Sequence, residues 1–240
     1  MNKTYLFISD IHLGLQSKEV ENQKERLLVK FLEFAKDNCN ELFIVGDLFD
    51  YWFEYKRVYQ KGNFRTLTAL QDLTEKGIVV HYFIGNHDFF HKDFFEKEIG
   101  VKLYQDAKNF TLNGKKFFIG HGDGLVKNDL GYNILKKILR NRFVQWLYGL
   151  IHPDVGVAIA SRTSKSSRDY TTKKDYGEED GLFEAARSFI DKGNDYVLFG
   201  HLHKRCINQY KQGKYINLGS WIENPCYGKF TDKFEIIDWK

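Results

Sequence analysis

The sequence predicts an α/β fold whose strands end on one shared, ligand-bearing edge. Three observations lead there. Apolar strand-like runs alternate with amphipathic helical stretches along most of the 240 residues. Five of those runs, YLFIS, LFIVG, VVHYFIG, KKFFIG and YVLFG, lead directly into Asp, Asn or His. One pair of short runs is joined by Asn113-Gly114, the strongest short hairpin signal.

The elements follow in order. A strand over 5–9 precedes a helix over about 23–38, where Leu27, Leu28, Phe31, Leu32 and Ala35 recur at helical spacing. A strand over 42–45 leads to a helix over about 63–76, with Phe64, Leu67, Leu70 and Leu73 on one face and Gly77 as its stop. A strand over 78–84 follows, then the hairpin of 110–112 and 116–119. A helix over 180–192 and strands over 196–199, 215–218 and 234–237 complete the chain. Residues 127–177 break the alternation. Ile134, Leu135, Ile138, Leu139, Trp146, Leu147, Leu150 and Ile151 recur at helical spacing among Lys136, Lys137, Arg140 and Arg142. This segment reads as a helical cap inserted into a single domain spanning 1–240.

The composition, 42% hydrophobic and 28% charged, is that of a soluble globular chain with enough apolar mass for a sizeable core. Net charge is +4, but between Lys136 and Lys174 nine Lys/Arg stand against Asp154 and Asp169 alone. That basic excess is local and mixed with aliphatics, not a broad stripe with stacking aromatics, which argues against nucleic acid as a partner. Three cysteines, Cys39, Cys206 and Cys226, have no metal or redox spacing and read as reduced thiols. The N-terminus runs straight into a strand, and no apolar run is long enough to span a bilayer. The expectation is a cytosolic or surface-attached protein.

The five clusters are Asp10-x-His12, Gly46-Asp47-x-x-Asp50, Gly85-Asn86-His87-Asp88, Gly120-His121-Gly122-Asp123 and Gly200-His201-x-His203. Open α/β sheets place ligands at the carboxyl ends of their strands. Asp10 and His12, two apart past a strand, can turn toward one ion, and Asp47 is the natural bridge to a second. Asn86 offers a neutral amide oxygen; His121, His201 and His203 offer imidazoles. Any one cluster alone reads as a turn or a helix cap; five in order, each after a strand, read as a dinuclear centre suited to phosphate ester chemistry. Mixed N/O donors without cysteine suit Mn, Fe or Zn better than Mg. His81, His91 and His152 fall outside the clusters and read as a strand, a loop and a polar cap residue.

Across nearly the whole chain these clusters resemble the calcineurin-like metallophosphoesterase superfamily. The resemblance implies a two-sheet α/β sandwich flanked by helices, with two divalent metals at the sheet edges. It implies that Asp10, His12, Asp47 and His203 hold one metal and that Asp47, Asn86, His121 and His201 hold the other. A water acidified by the pair would be the nucleophile, and Asn86 would help neutralise the phosphoryl oxygens. It further implies that His87 contacts the phosphate and assists the leaving oxygen, with Asp88 orienting it. Asp50 and Asp123 read equally as supports of the site or as loop caps.

A narrower resemblance is carried by Gly46-Asp47-Leu48-Phe49-Asp50-Tyr51-Trp52, by His121-Gly122-Asp123 with Asp129 and Tyr132 after it, by the polar stretch 159–174, and by Gly219-Ser220-Trp221. These are similar to the UDP-2,3-diacylglucosamine pyrophosphatases of lipid A biosynthesis. That likeness implies manganese, a nucleotide-linked lipid substrate split into UMP and 2,3-diacylglucosamine 1-phosphate, and substrate contacts from Asp129, Tyr132, Ser167 and Lys174. It also implies a cytoplasmic enzyme held at the inner-membrane surface by its basic amphipathic cap, with no obligate protein partner. The chain departs from that family at His87, where its best-known members carry Arg. A dinuclear phosphodiesterase or phosphomonoesterase for another, soluble phosphoester is the alternative. A non-catalytic scaffold is disfavoured because all seven expected ligands are present.

Overall fold

The computed structural model describes residues 2–125, 130–160 and 181–240, apart from the side chains of 130–133 and 135. Two sheets stack face to face. The first has six strands in the order β11-β10-β1-β2-β3-β4: β1 (Tyr5–Ile8), β2 (Glu41–Val45), β3 (Val79–Phe83), β4 (Lys102–Tyr104), β10 (Cys226–Phe230) and β11 (Phe234–Asp238). The second has five in the order β5-β6-β7-β9-β8: β5 (Lys108–Leu112), β6 (Lys115–Ile119), β7 (Tyr196–Phe199), β8 (Cys206–Tyr210) and β9 (Gly213–Asn217). Strands β1, β2, β3 and β4 run parallel, as do β6, β7 and β9.

Alternation along each strand assigns its side chains to layers. Phe7, Phe43, Phe117, Leu198, Ile216 and Phe230 are buried between the sheets. Leu6, Ile8, Leu42 and Ile44 face the other way, onto Leu28, Phe31 and Leu32 of helix α1 (Lys18–Asn38) and Leu70 and Leu73 of α2 (Phe64–Glu75). Helix α6 (Gly181–Asp191) covers the outer face of the second sheet, packing Leu182, Ala186 and Ile190 on Val197, Phe199 and Tyr215. Phe7 lies between Phe43 at 4.9 Å and Phe117 at 6.2 Å, so one ring joins the sheets. Truncating such a side chain to Ala costs about 3–5 kcal/mol. Helices α3 (Leu130–Leu139), α4 (Arg142–Tyr148) and α5 (residues 153–160) lie in the segment expected to be helical.

The expected strands and helices are present, with shifted ends. Helix α1 starts five residues early, because the Glu21 carboxylate accepts from the Gly14 and Gln16 amides (both 2.7 Å) and anchors a polar first turn that has no apolar face. Strands β4, β8 and β10 were not anticipated. The first is three residues at an edge. The second is an edge strand with Asn208 and Gln209 in it. The third carries Gly228, where any Cβ would press on the Phe234 ring. The short π-type turn Phe95–Ile99 has no sequence signature either.

Candidate metal centre

The five clusters follow β1, β2, β3, β6 and β7, adjacent parallel strands in their own sheets, so all five emerge at one end of the sandwich. Pairing continues past the strands into the loops: the Asp10 amide donates to Gly46 O (3.2 Å), His12 to Asp47 O (3.0 Å), Leu13 to Leu48 O (3.0 Å) and Gly200 to His121 O (3.0 Å). The tail closes the same edge, with the Trp221 amide and the Ser220 hydroxyl donating to Asp10 O at 3.1 and 3.0 Å.

Eight described non-glycine residues have positive φ, and five of them are Asp10 (54°), His12 (49°), Asp47 (52°), His201 (70°) and His203 (57°). Each such conformation stores on the order of 1–3 kcal/mol and persists where the surroundings impose it. Here it turns side chains of successive loops into one nest. Gly85 is required for the same reason: a Cβ there would overlap the Asp47 carboxylate and its amide nitrogen.

The donor atoms converge in two overlapping groups. In one, His12 Nε2 lies 3.1 Å from His203 Nε2, which is 3.3 Å from Asp10 Oδ1. In the other, Asn86 Oδ1 lies 2.9 Å from both His121 Nε2 and His201 Nδ1. Asp47 joins them, its Oδ2 lying 3.2 Å from His121 Nε2 and 3.7 Å from His12 Nε2. Its other oxygen accepts from the His87 amide at 2.9 Å. Asp10, His12, Asp47 and His121 are buried. Carboxylate, amide and imidazole donors crowded at 3–4 Å, with no thiolate among them, fit a pair of divalent cations sharing Asp47.

The electrostatics agree. Burial pushes the Asp47 carboxyl up, yet the imidazoles of His121, His87 and His12 outweigh it and hold it well below the carboxylate range. Asp10 is also lowered: burial opposes, but His203 and His121 prevail. His121 is raised well above the usual imidazole value, because Asp47 outweighs burial. Burial, reinforced by the charge of His121, lowers His201 to about 4. The nest therefore holds ionised carboxylates facing imidazoles.

Of the residues expected to act on substrate, His87 is brought to the centre. Its Nδ1 lies 3.5 Å from Asp50 Oδ1, the same oxygen that lies 3.4 Å from His12 Nδ1. Asp88, expected to orient His87, is committed elsewhere. Its Oδ2 accepts from the Leu48 amide (2.8 Å) and the Tyr82 hydroxyl, and its Oδ1 from the Gly85 amide (2.8 Å). Asp88 thus braces the backbone before Asn86 and after Asp47, and Asp50 is the carboxylate facing His87. Asp123 is buried and paired with Lys136 of α3 at 2.6 Å. Asp129, Ser167 and Lys174, and the Tyr132 side chain, lie outside the described residues. Tyr82 and Lys136 carry no motif, so only the fold brings them to these loops.

Comparisons with known proteins place this geometry. The calcineurin-like phosphoesterase family pattern matches residues 3–205. A Porphyromonas gingivalis protein named UDP-2,3-diacylglucosamine hydrolase is 29% identical over 245 residues, covering 95% of this chain and 94% of that protein. A Haemophilus influenzae protein of the same name is 28% identical over 222 residues, covering 91% and 90%. The solved structure of an archaeal phosphodiesterase superposes with a TM-score of 0.50 at 16% identity, covering 98% of this chain and 99% of that one.

Proposed function

The chain belongs to the calcineurin-like phosphoesterase family and is a hydrolase, and we propose that its substrate is UDP-2,3-diacylglucosamine, cleaved at the pyrophosphate to UMP and 2,3-diacylglucosamine 1-phosphate. The observation that carries this reading is a nest of two donor groups sharing Asp47 Oδ2, in a chain that matches hydrolases of that name over nine-tenths of its length.

Asp10, His12, Asp47 and His203 would hold one divalent ion, and Asp47, Asn86, His121 and His201 the other, with manganese the ion we propose. Bound there, the ions supply charge at the phosphoryl oxygens and acidify a water at neutral pH. The chain's own residues do the rest. The Asp47 oxygen bound by the His87 amide keeps its partner oxygen turned to both groups. The Gly85–Asp88 hydrogen bond closes the turn that carries Asn86. His87 is the catalytic residue we propose for the leaving oxygen, donating a hydrogen bond or proton. Asp50, 3.5 Å from its Nδ1, would fix the ring.

The helical segment would hold the lipid part. Phe143, Trp146 and Leu150 are 59–67% exposed beside Lys137, Arg140 and Arg142, a composition suited to an anionic bilayer surface. No helix among the described residues is long and apolar enough to cross a membrane. We extend the reading to a cytoplasmic enzyme at the inner membrane, with Asp129, Tyr132, Ser167 and Lys174 touching the glucosamine and phosphates. His87, standing where the lipid enzymes carry Arg, favours a second reading: another phosphoester, soluble and smaller.

The deciding experiment supplies manganese-loaded protein with UDP-2,3-diacylglucosamine in detergent and measures UMP, with His203→Ala as control. UMP that disappears in the control supports the lipid reading. Absence of UMP from a protein that hydrolyses a simple aryl phosphodiester would select the second.

A further inference from the structure

The stretch between Tyr55 and Thr66 has no part in the metal centre. It reads Lys-Arg-Val-Tyr-Gln-Lys-Gly-Asn-Phe-Arg over 56–65, four cations with no carboxylate among them. Arg65 is paired with Glu25 at 3.1 Å. Lys56, Arg57 and Lys61 are exposed and form no ion pair among the described residues. Three apolar side chains are exposed with them: Val58 (50%), Tyr59 (57%) and Phe64 (66%). Surface aliphatics and aromatics scattered singly need no explanation, but three within seven residues, set among cations that form no ion pair among the described residues, form a patch. The patch is anchored: the Tyr59 ring rests 4.9 Å from Phe94, and Phe64 opens α2. It also springs from the seat of the helical segment, where Tyr55 and Tyr148 close on Gly156 of α5.

We infer that residues 56–65 are a docking loop for an anionic phospholipid surface, distinct from the helical segment, with Lys56, Arg57 and Lys61 on lipid phosphates and Val58, Tyr59 and Phe64 at headgroup level. Cations beside aromatic and aliphatic side chains match the two layers of a bilayer interface, charge outside and hydrocarbon beneath. A soluble acidic partner would leave Val58, Tyr59 and Phe64 without a role. The loop starts at Tyr55, which closes on Gly156 of α5 together with Tyr148 of α4. The choice of a lipid partner rests on the proposed lipid substrate; the loop residues themselves do not touch the metal nest.

The test is co-sedimentation, without substrate, on vesicles of phosphatidylglycerol and phosphatidylcholine and on phosphatidylcholine alone. Wild type should bind the mixed vesicles, and binding should weaken as salt rises. The charge variant Lys56→Glu/Arg57→Glu/Lys61→Glu should lose binding by roughly 100-fold. The apolar variant Val58→Ser/Tyr59→Ser/Phe64→Ser should lose binding to the mixed vesicles while keeping the salt dependence of what remains. Both should release UMP from detergent-dispersed substrate at the wild-type rate; the charge variant should melt as wild type does, and the apolar variant slightly lower for its lost Tyr59–Phe94 contact. Wild-type vesicle binding by both variants would overturn the inference, as would a Phe143→Ser/Trp146→Ser/Leu150→Ser variant that alone abolishes binding. Binding of wild type to a polyglutamate or RNA probe but not to mixed vesicles would overturn it as well. Failure of UMP release in every protein, with vesicle binding unchanged, would instead count against the proposed substrate.

Discussion

Lys136 Nζ lies 2.6 Å from Asp123 Oδ2 and donates to the Asp123 carbonyl oxygen at 2.9 Å. The first helix of the 127–177 segment is therefore tied to the loop that carries His121, two residues earlier. Asp123 is buried, and burial raises its carboxyl, yet the charges of His121, Lys136 and His201 hold it below the usual range.

Lys136→Met removes that tie while keeping the aliphatic stem. It should lower stability by about 1–3 kcal/mol, the range for a buried acceptor that loses its donor. If the tie also sets the helical segment over the centre, KM for the lipid should rise more than kcat falls, and Lys136→Arg should recover part of it. Wild-type melting together with wild-type KM would show the pair to be incidental.

Asp88→Asn tests the brace behind the metal loops. An amide can offer one oxygen, so its NH2 must face the Leu48 amide or the Gly85 amide, donor against donor. The variant should lose about 1–3 kcal/mol and bind manganese roughly 10–100-fold more weakly. Tyr82→Phe, which removes one hydrogen bond to the same carboxylate, should lose about 1 kcal/mol. Unchanged manganese affinity in Asp88→Asn, measured by titration calorimetry, would sink the idea.

Metal should stabilise the folded chain. At a manganese concentration a hundredfold above Kd the linkage is about 2.7 kcal/mol. For a chain of this size that corresponds to a rise of roughly 5–10 °C in Tm. EDTA should reverse the rise, and Asp47→Ala, which removes the shared oxygen, should abolish it. A melting curve indifferent to manganese would contradict the proposed nest.

His81 gives a pH dependence away from the metal centre. It is buried on β3, stacked on Phe43 at 4.2 Å, with Nε2 2.9 Å from Glu41 and Nδ1 3.0 Å from the Tyr104 hydroxyl. Burial pushes its pKa below 6.5, against the pull of Glu41. The unfolded chain therefore binds a proton that the folded chain refuses just below pH 6.5. The contribution is complete above that pH and declines as pH falls toward the folded value. Glu41 is lowered too: burial opposes, but His81 and Lys3 prevail, so its contribution is present above 4.5 and lost on further acidification. Melting series in EDTA between pH 7 and 4 should show stability falling throughout, and His81→Gln should flatten the fall that begins near 6.5. A parallel pair of curves would rule His81 out.

Much of this was legible in order along the chain. Strand runs ending in Asp, Asn or His name the sheet edge, because buried parallel strands are largely apolar and the ligand-type residues fall just past them. The seven expected ligands could thus be named without coordinates. Strands β8 and β10 could not, since an edge strand with Asn208 and Gln209, and a strand built around Gly228, have no alternating pattern to read.

By itself the sequence determined which donor types fall at the sheet edge and the order of the strands that deliver them, because residue type and hydrophobic period are local properties. Only the tertiary structure decided which carboxylate serves which group. Asp50 and Asp88 each fall two or three residues past a glycine-led ligand, and the resemblance gave the role of orienting His87 to Asp88. Folding turns Asp50 toward His12 and His87 and buries Asp88 against the Leu48 and Gly85 amides. The pairing of Lys136 with Asp123 and of Tyr82 with Asp88 was likewise settled by packing. Side-chain direction past a strand depends on loop dihedrals imposed by neighbouring strands, and those neighbours are distant in the chain.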